Sequence, residues 1–323
     1  MSEIVLTLLG GLVLFLYAIT NLSDLIKKVT EAKPKKWLLR FTKNLFTAIL
    51  TGTVITIILD SSSVVIILTI VLVNAGLLTF REAMGIVMGA NIGTTISSQI
   101  IALDITKYSP IFLVIGMVMI LLYSKEKMKQ TGRLLIYFGM LFFGLFIMET
   151  AITPLKSEPI FEQWMHAMDN PIKGTLTGAL VTVIIQSSSA TVGMAIILVK
   201  KGALSLIGGI AVMLGAELGT CSDTLMATIK GSRQGIKTGI FHLVFNLMSI
   251  LLCLALFDYF VDFVKYISGT IAFEKILANA HFIFNVLGVL LFVWFVPFFE
   301  KALNYFLPEK TEFNREKIIK TIT

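Results

Sequence analysis

Two triplets of serine set in apolar chain carry the first chemistry in this sequence: Ser61, Ser62 and Ser63 in IILDSSSVVII (57–67), and Ser187, Ser188 and Ser189 in VIIQSSSATVG (183–193). Each triplet follows a polar residue, Asp60 or Gln186, and opens a new apolar run. Serine is a favoured helix N-cap, and the first turn of a helix exposes unpaired N–H groups at the positive end of its dipole. Such an end receives anions, and hydroxyls add donors around it. Downstream lie GANIGTT (89–95) and GAELGTC (215–221), where paired glycines flank Asn91 or Glu217 and precede Thr94, Thr95 or Thr220. Glycine permits unwinding, and unwound carbonyls with amide, hydroxyl and carboxylate oxygens suit Na+. Asp223, just past the second motif, is a further candidate ligand. Neither serine segment holds a Lys or Arg in its interior, so no fixed cation there neutralises a bound anion. Helix dipoles supply roughly half a charge each. The rest calls for mobile cations, which implies symport.

The elements that must hold these residues are membrane helices. Of 323 residues, 56% are hydrophobic and 15% charged, where a soluble domain carries about a quarter charged residues. The mean hydropathy is +0.88. Apolar blocks run to roughly the 20 residues that cross a bilayer, and block length selects helices over a barrel. The chain therefore reads as an all-α polytopic membrane protein. Seven full spans are expected, at 4–20, 79–103, 108–124, 132–152, 203–229, 236–257 and 276–298. The first block has no basic residue before it, so an uncleaved helix is expected rather than a signal peptide. Cys221 and Cys253 have no metal-ligand spacing and imply no disulfide framework.

Two other apolar stretches, 44–75 and 174–199, contain the serines at their middles and read as re-entrant hairpins. With the N-terminus outside and the C-terminus cytoplasmic, this layout puts twenty of the 27 Lys and Arg on the cytoplasmic side, as the positive-inside rule asks. The net charge of +7 is thus topological, and nucleic acid is not an expected partner.

The chain also repeats itself. Residues 50–95 align without gaps onto 176–221, an offset of 126, with 17 identities in 46 positions. Three spans separate the hairpins, an odd number, so the copies face opposite ways, as in secondary transporters built from inverted repeats. The expected organisation is a first inverted repeat over 1–130 (hairpin 44–75, broken helix 79–103) and a second over 131–257 (hairpin 174–199, broken helix 203–229). Residues 258–323 then hold an external interfacial segment, a final span and a cytoplasmic tail. Helix packing by small residues is the competing use of these motifs; their pairing in repeat register speaks for the ion-binding one.

DSSSVVIILTIVLVNAG with GANIGTT, and QSSSATVGMAIILVKKG with GAELGT, resemble the duplicated signature of the sodium–phosphate cotransporter family, type II and its bacterial relatives. The resemblance covers most of residues 4–257. It implies Na+-coupled uptake of inorganic phosphate across the plasma membrane, with no cofactor beyond Na+ as coupling ion. Phosphate would be held between the tips by Ser61, Ser62, Ser63, Ser187, Ser188 and Ser189, with Thr94 and Thr95. Asp60, Gln186, Asn91, Glu217, Thr220 and Asp223 would serve Na+. The family pattern has Gln at position 60, Asn at 217 and Thr at 221. An acid at mid-membrane is costly unless paired, protonated or ion-bound, so Asp60 and Glu217 read as extra Na+ ligands or as proton carriers.

Proton coupling, or another oxyanion such as arsenate, is the alternative within transport. An anion channel is disfavoured by discontinuous helices, which suit alternating access. An intramembrane serine hydrolase needs one serine beside a base, whereas these triplets have no His in their own segments. His242 with Asn246, and His281 with Asn285, read as hydrogen bonds between scaffold helices. Glu149 and Arg81 read as ordinary charges at segment ends, and His166 as solvated. Residues 21–41 and 258–275 read as stretches lying along the membrane surface. Serines outside the triplets, such as Ser97, are expected to be indifferent to transport.

Overall fold

A computed structural model describes residues 2–30, 33–42, 44–103, 105–155, 158–229 and 231–308. Every regular element among them is helical. The chain opens with α1 (Ser2–Thr30) and α2 (Lys33–Phe41), followed by α3 (Leu45–Leu59), α4 (Ser62–Asn74), α5 (Phe80–Ile101) and α6 (Ser109–Leu122). Next come α7 (Glu126–Leu155), α8 (Pro159–Ala167), α9 (Pro171–Ile185), α10 (Ser188–Lys200), α11 (Leu206–Gly219) and α12 (Cys221–Thr228). The chain continues with α13 (Arg233–Ala255), α14 (Phe257–Ser268), α15 (Phe273–Phe292) and α16 (Val296–Phe306). The expected cytoplasmic tail beyond residue 308 lies outside the described residues.

Five segments are long and apolar enough to cross a membrane: 3–25, 126–154, 206–228, 233–255 and 273–306. Helices α5 and α6 meet that test only together, bent by 72°. The seven-span expectation counted them separately, but α6 has 14 residues, about 21 Å of helix against a hydrocarbon core of about 30 Å. Large apolar side chains such as Leu6, Leu121 and Ile184 are exposed, as in a protein whose outer surface meets lipid. This is a multi-pass membrane protein.

The helices α3/α4 and α9/α10 are each a 15-residue and a 13-residue arm joined by a two-residue break, too short for either arm to span alone. The break is built alike in both. Asp60 ends α3 in the left-handed region (φ 51°, ψ 34°), and Gln186 ends α9 the same way (φ 57°, ψ 33°). Among the described residues these two alone, glycine apart, have positive φ. Ser61 and Ser187 then swing to extended backbone and cap α4 and α10, accepting from the Val64 and Ala190 N–H at 3.3 and 3.2 Å. A left-handed residue followed by an extended one ends the first helix and lets a second start directly after it.

The expected interruption appears in one motif only. Helix α5 runs unbroken through GANIGTT, whereas α11 gives way to α12 at Thr220, directly after Gly219. In both copies the first glycine brings backbones together. A Cβ on Gly89 would lie 1.9 Å from the Ile49 carbonyl oxygen, and one on Gly215 1.9 Å from that of Thr175. Gly52 stands likewise against Ile86, and Gly178 against Val212. Every pair maps onto its mate at the offset of 126. Ala48 against Gly85 becomes Gly174 against Ala211, the small residue having changed sides. Small residues thus seat each hairpin on its following helix, the packing use that membrane helices make of glycine.

Compact units cut across these repeats. One comprises residues 1–30, 98–216 and 261–280, the other 31–97, 217–260 and 281–323. The first unit holds hairpin α9/α10 and closely packs α1 on α7, where Gly11 and Gly144 each face the other's carbonyl oxygen. Its Glu149 is buried and bound by Lys200 at 2.5 Å and Lys201 at 3.3 Å. That acid is therefore a buried anchor for the C-terminal end of α10, where the sequence suggested an ordinary terminal charge. The second unit holds hairpin α3/α4 around an aromatic core of Phe80, Phe241, Phe245, Phe292 and Phe299.

Candidate functional site

In the second unit the tip of α3/α4 brings together Asp60, Ser61, Ser62, Ser63 and Asp223 among the expected residues. Helix α4 begins at Ser62, so the backbone N–H groups of its first turn lack a carbonyl one turn back. Ser62 is buried there. Asp60 accepts a hydrogen bond from the Ser97 hydroxyl on α5. Ser63 donates to Asp223 Oδ2 on α12 at 3.2 Å, and Ser222 adds a contact to Oδ1 at 3.4 Å. Two carboxylates therefore stand beside a helix N-terminus that would otherwise favour an anion. Ser97, a serine outside the triplets, therefore contacts an expected site residue. It is the repeat mate of Asp223, 126 residues earlier, and that register was the signal that could have found it.

In the first unit the other tip has the same backbone without the acids. Gln186 is exposed, while Ser188 and Ser189 are buried in the first turn of α10. Thr182 donates to Thr191 at 2.8 Å, tying the two arms together across the tip. The tips thus share a fold and differ in charge.

Thr94 and Thr95 donate to carbonyls of their own helix, at 3.1 Å to Ala90 and 2.7 Å to Ile92, which leaves their oxygen lone pairs as acceptors. Asn91 donates from Nδ2 to Asn246 Oδ1 at 2.7 Å. Glu217 is buried and bound to His281 Nε2 at 2.8 Å. Thr220, also buried, sits at the α11/α12 break. Among the described residues no three His, Cys, Asp or Glu converge as a metal cluster. Carboxylate, amide and hydroxyl oxygens are the available donors, a set suited to a hard cation.

His242, Asn246 and His281 bond between helices as expected, whereas Asn285 bonds within its own helix, and the interhelical contacts converge on the second motif and the helix that follows it. His242 Nδ1 lies 2.8 Å from the Thr224 hydroxyl and Nε2 4.0 Å from Cys221 Sγ. Asn246 donates to Cys221 Sγ at 3.3 Å. His281 holds Glu217, and Asn285 donates to the His281 carbonyl at 3.1 Å. Hence α13 and α15 each bond to the GAELGTC segment.

Comparison with known proteins meets this geometry. A family profile described as Na+/Pi-cotransporter matches twice, over residues 14–150 and 147–291. A Bacillus subtilis protein, "Uncharacterized protein YqeW", is 30% identical over 94% of this chain and 100% of its own length. The Escherichia coli "Putative inorganic phosphate export protein YjbB" is 24% identical over 90% of this chain and 53% of its own. The human "Sodium-dependent phosphate transport protein 2B" is 29% identical over 38% of this chain and 19% of its own. The chain thus spans about half of the YjbB protein and a fifth of the human one. No solved structure matches. One serine-capped break falls inside each matched stretch, and together the two stretches cover most of the sequence: the chain belongs to the Na+/Pi-cotransporter family, whose members are membrane transporters and not enzymes.

Proposed function

We propose that this chain is a secondary transporter that takes up inorganic phosphate coupled to Na+. It works by alternating access in the plasma membrane, with its N-terminus outside and its two repeats inverted. Ser61, Ser62, Ser63, Ser187, Ser188 and Ser189 supply donors to the anion, with Thr94 and Thr95. Asp60, Gln186, Asn91, Glu217, Thr220 and Asp223 serve the cation. The observation that carries the reading is the matched pair of breaks, in which a left-handed residue delivers a serine cap and a fresh helix N-terminus.

The charges support symport over simple anion binding. Asp60 and Asp223 stand beside one serine tip, and a dianion arriving there needs cations with it. Phosphate export, the activity in the name of one relative, is the second direction such a carrier can run. A coupled carrier follows its gradients, so direction is set by the cell rather than by the fold. Serine substitution tests the site. Ser62→Ala and Ser188→Ala should each raise the phosphate half-saturation at saturating Na+ by about ten- to a hundredfold, the worth of a buried hydrogen bond to a charged group, with thermal melting unchanged. An effect at one position only would mean that the anion is held by one tip.

A further inference from the structure

Asn246 is buried on α13, in a position that neither serine tip nor motif includes. Its side chain has two ends and the second unit uses both. Oδ1 accepts from Asn91 Nδ2 at 2.7 Å, in the first copy of the motif. Nδ2 donates to Cys221 Sγ at 3.3 Å, in the second copy. Cys221 in turn reaches the Glu217 carbonyl at 3.6 Å and the His242 carbonyl at 3.8 Å. His242 meets Thr224 one turn further along α12. A single side chain therefore joins Asn91 in the first copy of the motif to Cys221 in the second, although the two are not repeat mates: at the offset of 126 Asn91 maps onto Glu217, and Thr95 onto Cys221.

An amide is planar, with its nitrogen and oxygen on opposite sides of the carbonyl carbon. With Asn91 Nδ2 donating to Asn246, the Asn91 oxygen is not spent on Asn246 and stays an acceptor. The opposite flip would spend that oxygen on Asn246. We propose that Asn246 is a positioning residue that presents the Asn91 oxygen to the transported cation and links the two motif copies, so that they respond to the cation together. The inference rests on the transport reading in one respect, the assignment of Asn91 to the cation.

The test compares Asn246→Leu, which keeps the volume and removes both bonds, with Cys221→Ala, which removes the Cys221 end alone. Phosphate uptake by the full chain in proteoliposomes is measured against Na+, and Na+-dependent thermal stabilisation of the purified protein gives a readout without transport. Asn246→Leu should raise the Na+ half-saturation about tenfold in both, the worth of two neutral hydrogen bonds, and leave the phosphate half-saturation at saturating Na+ unchanged. Cys221→Ala should keep the Na+ half-saturation and flatten the Na+ dependence. Asn91→Leu combined with Asn246→Leu should be no worse than Asn91→Leu alone, because Asn246 acts through Asn91.

A wild-type protein without any Na+ response overturns both the transport reading and this inference. A wild-type response that Asn246→Leu leaves unchanged overturns this inference alone. Equal losses for Na+ and phosphate in Asn246→Leu would reduce Asn246 to packing, and so overturn it too.

Discussion

Replacing Asp60 by Gln converts one serine tip into a copy of the other. The backbone tolerates the change, because Gln186 already occupies the same left-handed conformation within a few degrees. What is lost is a charge that Ser97 orients and that faces the first turn of α4. If that carboxylate binds the coupling cation, its loss costs roughly 1.5–3 kcal/mol, the range for an interaction with a charged group. That corresponds to about a ten- to hundredfold rise in Na+ half-saturation. Ser97→Ala removes only the orienting donor, a neutral hydroxyl, and should shift the same curve about threefold. The assay is phosphate uptake against Na+ in proteoliposomes, with charge moved per phosphate recorded alongside. Asp60→Gln should also move a different charge per phosphate. A variant matching wild type in both quantities would show that Asp60 has no part in coupling and is a polar residue tolerated at a hydrated tip.

The other expectations concern packing and topology. Gly215→Ala drives a methyl into the Thr175 carbonyl and should lower stability by about 1–3 kcal/mol or more; Gly10, with nothing within 4 Å of an added Cβ, is the silent control, both read by thermal melting in detergent. Glu149→Gln leaves Lys200 and Lys201 without their buried acid and should cost about 3 kcal/mol in the same melt; an unchanged melting temperature would remove the anchor assigned to the end of α10. Single cysteines at Lys129 and Lys173, with Cys221 and Cys253 replaced, should label from opposite sides of the membrane, Lys173 from outside. Labelling from one side would end the inverted arrangement.

The repeat register is the strongest signal of fold in this sequence. The offset of 126 pairs both breaks at their serines, and each has the same backbone in the structure. The glycines of GANIGTT and GAELGTC were harder. Glycine serves unwinding and close approach equally well, and only the partner helix decides between them; here Ile49 and Thr175 decide for approach. Contacts between distant residues carry no local signal at all. Asn91 and Asn246 are 155 positions apart, and Glu217 and His281 are 64 apart, so the His/Asn pairs looked like scaffold bonds until their partners were seen to be the motif residues. Ser97 lay in between. Its kinship with Asp223 was in the register, but only the short contact to Asp60 gave it a role.

Labelled phosphate flux into proteoliposomes, with Na+, K+ and pH gradients imposed one at a time, tests the central claim most directly. The account predicts saturable accumulation driven by an inward Na+ gradient, reversing to efflux when that gradient is reversed, with none under K+ alone. Flux that a Na+ gradient does not drive, or that grows linearly with phosphate, would contradict a Na+-coupled carrier built around the two serine-capped tips.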